Sequence, residues 1–152
     1  MKKELNRNIP EEIQKQIFEY GASEKVVQPV YRVAKRGKLD DEAFLSTYEE
    51  IISGQLPDNN DKYPRDQVGT YSTSVYTSDV PCKKFIRCLK KSVRLRKKYP
   101  YPVILKGKTR YGLTQLTCER EKNYPDKFHV DWWIYDGMNG KVVEDYVVLE
   151  EV

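Results

Sequence analysis

The sequence predicts an α+β fold over residues 1–152, a mostly antiparallel sheet with two to three packed helices. Three observations carry this. Segments of helical period and segments rich in Val, Tyr and Thr alternate along the first two thirds of the chain, and the last third runs into strands. Clusters of Pro, Gly, Asn and Asp separate them. A chain of 152 residues is most simply one domain with a modest core.

The first helix is "NIPEEIQKQIFEYG", with Asn8 as cap, Pro10 in the first turn and Glu11 and Glu12 at the positive end of the dipole. Ile13, Ile17 and Tyr20 share its apolar face, and Gly21 ends it. Val30 to Ala34 is the first strand, in which Arg32 points opposite to Tyr31 and Val33. A second helix follows in "LDDEAFLSTYEEIISG". Asp40 or Asp41 caps it, and Phe44, Tyr48, Ile51 and Ile52 form its buried stripe. "QLPDNNDKYPRDQ" is a loop, and "GTYSTSVY" is the next strand.

Ser78 or Asp79 then caps a long helix to Lys98, whose apolar stripe is expected at Phe85, Leu89 and Val93. "YPYPVILKG" becomes a strand past its prolines. "HVDWWIYDGMNGKVVEDYVVLEEV" supplies two or three more strands, with Asn139-Gly140 as a hairpin turn.

Charge is unevenly spread. Val80 to Cys118 holds twelve Lys and Arg and no Asp or Glu, while the rest has 15 basic and 23 acidic residues. Nine of the sixteen residues at 83–98 are Lys or Arg. A charge run is usually a solvated face. Here, like charges at i,i+4, such as Lys83/Arg87 and Lys90/Arg94, cost up to ~0.5 kcal/mol each in an isolated helix, and a bound polyanion reverses that cost. Lys84, Arg87, Lys91, Arg94 and Lys98 are the candidate polyanion-binding residues of this basic helix, for nucleic acid or an acidic protein surface.

No apolar run approaches the ~20 residues of a membrane span, and no signal peptide is expected at the N-terminus. Three cysteines, Cys82, Cys88 and Cys118, leave at least one unpaired, which predicts a reducing, cytoplasmic setting. One His and no Cys-x-x-Cys pair argue against a zinc site.

Candidate chemistry sits in three places. Arg32 is a guanidinium fork suited to phosphate or carboxylate, or a plain edge-strand Arg. Ser72, Thr73 and Ser74 are hydroxyls able to pin a ribose or orient a carboxylate, or strand filler. The acid is Glu121, in Glu119-Arg120-Glu121, or Asp131, in "HVDWWIY". The lone His129, two residues before Asp131, is a proton carrier near neutral pH or a packing residue.

"VYRVAK", including Tyr31 and Arg32, and "YSTSVY", 40 residues on, followed by a helix and an acidic strand, resemble the small ADP-ribosyltransferases of the Arg–Ser–Glu type. The resemblance spans roughly Tyr31 to Tyr135. It implies NAD as co-substrate and a protein or nucleic-acid acceptor. Arg32 then clamps the NAD phosphates, Ser72 supports the nicotinamide ribose site, and Tyr31, Thr73, Ser74 and His129 line the pocket. Glu121 matches the letters of the family's third motif, E-x-E. Asp131 matches its strand context, with Asp in place of Glu. Cleavage of a nicotinamide–ribose bond passes through an oxocarbenium-like state, which calls for a carboxylate, a phosphate clamp and an aromatic platform such as Tyr71, Tyr76 or Trp132.

Overall fold

The β-branched and aromatic segments assemble into one antiparallel sheet. A computed structural model describes residues 3–149. Its strands are β1 (Val30–Ala34), β2 (Thr73–Tyr76), β3 (Val103–Gly107), β4 (Gly112–Leu116), β5 (His129–Ile134) and β6 (Val147–Leu149), in the order β4-β5-β2-β1-β3-β6. The helices among the described residues are α1 (Glu11–Glu19), α2 (Thr47–Ile52), α3 (Val80–Lys91), α4 (Val93–Lys98), α5 (Thr117–Arg120) and α6 (Asn139–Val143). The architecture is the predicted α+β domain, with more and shorter helices than expected. None among the described residues is long and apolar enough to cross a membrane.

Period-two alternation sorts the strand residues between two apolar layers. Val30, Val75, Leu105, Val130 and Trp132 pack on one side with Phe44 and Tyr146. Tyr31, Val33, Tyr76 and Ile104 meet Cys82 and Ile86 of α3 on the other. Complete burial of side chains of this size contributes about 1.5–3 kcal/mol each. A third cluster joins Ile13 and Ile17 of α1 to Tyr71 and Trp133.

The inward stripe of α3 is Cys82, Ile86 and Leu89, not Phe85, Leu89 and Val93; Phe85 and Val93 are exposed. The helix breaks at Ser92, whose side chain caps α4 by accepting from Leu95 N, so Val93 starts a new helix and its phase is lost. Burial pushes the Cys82 thiol up to about 12, which makes it an inert packing residue.

The expected second helix divides into a 3-10 turn at Asp41–Phe44, capped by Asp40, and α2, capped by Ser46 with Glu49 as its capping box. Ile52 and Tyr20 are exposed rather than buried. The first half of "GTYSTSVY" is a 3-10 turn, Val68–Tyr71, with β2 starting at Thr73. Asn139-Gly140 opens α6 and is no hairpin turn. "GLTQL" is a strand, β4, that polar spacing had hidden. The last strand was expected to run to Val152; residues 150–152 lie outside the described residues.

β1 and β2 share a single register pair, Tyr31↔Tyr76. Arg32 bridges them near this short ladder, where its Nη1 donates to Ser74 O at 2.7 Å. This join is one wall of the site.

Candidate functional site

Ser74↔Asp131 and Tyr76↔His129 are opposite pairs on β2 and β5. Alternation then separates the three hydroxyls of Ser-Thr-Ser. Thr73 turns away and donates to Phe44 O at 2.8 Å. Ser72 and Ser74 turn toward His129 and Asp131 of β5. Thr117 and Arg120 of α5, three residues apart and so on one helical face, close the group from above β4.

Asp131 is 1% exposed and accepts from three donors: Ser72 Oγ at 2.6 Å, Thr117 Oγ1 at 2.8 Å and Arg120 Nη2 at 2.7 Å. Arg120 also donates to Gln115 Oε1 and to Glu121 Oε2, both at 3.0 Å. The rings of Tyr20 and Trp133 flank its guanidinium at 6.0 Å. This is a buried ion pair with its spare lone pairs and protons mostly satisfied, the condition under which such pairs are tolerated.

The hydrogen bonds then acquire a direction. A carboxylate only accepts, so the single Thr117 proton goes to Asp131. Thr117 Oγ1 therefore accepts from His129 Nδ1–H. That tautomer leaves the Nε2 lone pair to accept from Ser74 Oγ–H at 2.8 Å. His129 is buried between the rings of Tyr76 and Tyr124, at 5.4 and 5.3 Å. Burial holds it below the usual histidine range, against the opposing pull of Asp131 and Asp126.

Ser74 and His129 lie where two hollows of about 350 Å³ each meet. Thr47, Lys62, Tyr63 and Tyr124 belong to both as well. The first hollow continues to Glu121, whose side chain is 51% exposed. The second continues to Arg32, Lys35 and Phe85.

The residues singled out in the sequence fare unequally. Ser74 and His129 form the meeting point, and Glu121 borders the first hollow. Ser72 is fully buried, so it supports Asp131 and touches no ligand. Asp131 lies at the floor of the first hollow, 1% exposed beneath its three donors. Arg32 borders the second hollow, but its guanidinium is engaged. It donates to the carbonyls of Ala43, Leu45 and Ser74 and to Glu50 Oε1, with both ionic side chains 11% exposed. Lys35 holds the other Glu50 oxygen at 2.9 Å. The free phosphate fork expected at Arg32 is therefore committed within the fold.

Tyr31 packs with the α3 cluster and Thr73 faces Phe44, so neither reaches the cleft. Of the three candidate platforms, Tyr76 alone lies at the cleft; Tyr71 and Trp132 are core. Lys84, Arg87, Lys91, Arg94 and Lys98 are exposed along α3 and α4, outside both hollows.

Thr117, Arg120, Lys62 and Tyr124 were missed. One signal pointed to Arg120. A lone Asp inside the apolar run "HVDWWI" must be buried and demands a cation, and "CERE" is the polar segment just before that strand. No protein-family model, curated protein or solved structure matches the chain.

Proposed function

We propose that the cleft between β1, β2 and β5 binds an NAD-type dinucleotide and serves ADP-ribosyl transfer to an anionic acceptor. The observation that carries this reading is convergence. Arg32, Ser74, Glu121, His129 and Asp131 are spread over a hundred residues of chain, yet they border one cleft on three adjacent strands and the helix beside them.

A dinucleotide has two nucleoside halves, and the cleft has two lobes, each within the usual ~300–1,000 Å³ of ligand pockets. Tyr63, Tyr76 and Tyr124 offer aromatic walls to flat rings, Ser74 offers a hydroxyl, and Lys62, bordering both lobes, offers a cation for the phosphates. NAD brings a nicotinamide–ribose bond whose cleavage leaves positive charge at the ribose carbon. Glu121 is the carboxylate with access to that charge. Asp131 acts at one remove, holding Arg120, which in turn holds Glu121.

Of the two acids that the resemblance leaves open the cleft favours one, and the role it implies for Arg32 changes. The acid is Glu121 and not Asp131, and Arg32 shapes the cleft without clamping phosphate. The exposed cations of α3 and α4 have no ion-pair partner from Lys84 to Lys98 among the described residues, which suits them to hold an anionic acceptor such as nucleic acid.

The test is nicotinamide release from NAD. Native protein should release it. Glu121→Gln should lose release by 10²-fold or more, on the scale of ~10²–10³ for one lost electrostatic stabiliser, while NAD still raises its melting temperature. At 100-fold excess over the dissociation constant, NAD contributes about 2.7 kcal/mol of stability. Absence of both nicotinamide release and a thermal shift at millimolar NAD would contradict the proposal.

A further inference from the structure

We propose that Ser74 is a base-activated nucleophile, with His129 as its general base, and that the cleft hydrolyses carboxylic esters. Three features assemble this site. Ser74 Oγ lies 2.8 Å from His129 Nε2, within the reach of a nucleophile–base pair. His129 Nδ1 is bonded to Thr117 Oγ1, and Thr117 is bonded to Asp131, so the base is oriented by a carboxylate through one hydroxyl. The Ser-His pair sits where the two lobes meet, and Ser74 is half-buried and not sealed.

The logic is that of a hydrolytic triad with a threonine inserted between the histidine and the acid. A purely structural serine needs no partner chain of fixed direction ending on a buried carboxylate. Four side chains from β2, β5 and α5 supply one here.

Ser74 Oγ attacks the ester carbonyl carbon, its proton passes to His129 Nε2, and the carbonyl π electrons move to oxygen. The tetrahedral adduct collapses, the ester C–O bond breaks, and the leaving alkoxide takes the proton from Nε2. Water then attacks the acyl-serine, giving its proton to Nε2. Collapse releases the carboxylic acid, and Ser74 recovers its proton. No redox partner is required. Imidazolium formation during attack is stabilised by Asp131 through Thr117, which makes these two positioning residues and Ser74 and His129 the catalytic ones.

The test uses the intact chain and a fluorophosphonate probe, read by intact mass and peptide mapping; it is independent of NAD. A single adduct on Ser74 is expected. Ser74→Ala should abolish it. His129→Asn should slow labelling by about 10²–10⁴-fold, the usual contribution of general base catalysis. Thr117→Val should slow it and alter its pH profile, and Thr117→Ser should restore both.

In the native chain, labelling should hold through neutral pH and fall only below the usual histidine value of about 6.5. The groups bearing on that titration are Asp131, Asp126 and Glu121, which favour the imidazolium, Arg120, which opposes it, and the flanking Tyr76 and Tyr124. Circular dichroism controls for folding. If His129→Asn does not fold, the pH profile and the Thr117 pair decide. No adduct on native protein, or an adduct that survives Ser74→Ala, overturns the proposal.

Discussion

Replacing Asp131 with Ala is expected to cost about 3–5 kcal/mol, because it strands the Arg120 guanidinium, 6% exposed, without its buried counter-charge. For a chain of this size that is a fall of roughly 6–20 °C in melting temperature, at about 2–4 °C per kcal/mol. Three donors lose their acceptor together: Ser72 Oγ, Thr117 Oγ1 and Arg120 Nη2. Asp131→Asn should also destabilise, since an amide presents N–H groups to at least one of those donors. Thermal melts followed by circular dichroism check this. An accessible catalytic carboxylate behaves otherwise, losing activity at unchanged stability, and that outcome would return Asp131 to the role the strand context suggests.

Arg32→Ala is expected to be comparably severe, again about 3–5 kcal/mol. The side chain is the hub of a partly buried join. It satisfies the carbonyls of Ala43 and Leu45, on the segment between β1 and α2, and of Ser74 on β2, and it pairs with Glu50 of α2. Glu50 keeps Lys35, but the three carbonyls lose their donor. Arg32→Lys should recover little. A compact ammonium has no planar fork to span acceptors on three segments, so charge is kept and geometry lost. Urea unfolding of the three proteins measures this. A free phosphate clamp predicts the reverse: stability close to native in both variants, with only ligand binding lost.

These two residues mark how far the sequence could be read. Patterning identified β1, β2 and β5 because β-branched and aromatic runs are dictated locally, and it identified α1 and α3 from their period. Arg32, the Ser-Thr-Ser run, His129 and Asp131 stood out because polar groups within strands need partners. What each side chain does was not legible, because it depends on contacts across tens of residues. Ser72 meets Asp131 across 59 positions, and Arg32 meets Ser74 across 42. The break at Ser92 was hidden for a different reason. The stripe expected at Phe85, Leu89 and Val93 steps by four residues straight through Ser92, whereas the buried face runs through Cys82, Ile86 and Leu89 and the cap at Ser92 starts α4 in a new phase. β4 was missed because Thr114 and Gln115 are buried by bonding to the backbone at Lys25 and Tyr20, a form of burial that hydrophobic spacing does not report.

The claim that the β1–β2–β5 cleft is a nucleotide site is tested most directly by amide chemical shifts of labelled protein during NAD titration, with a short oligonucleotide titrated separately. NAD should move the signals of Tyr63, Ser74, Glu121, Tyr124 and His129, saturably and together, and leave α3 and α4 largely still. The oligonucleotide should move Arg87, Lys91 and Arg94 and fade with salt. NAD shifts that are absent at millimolar concentration, or that appear only along α3 and α4, would contradict the account.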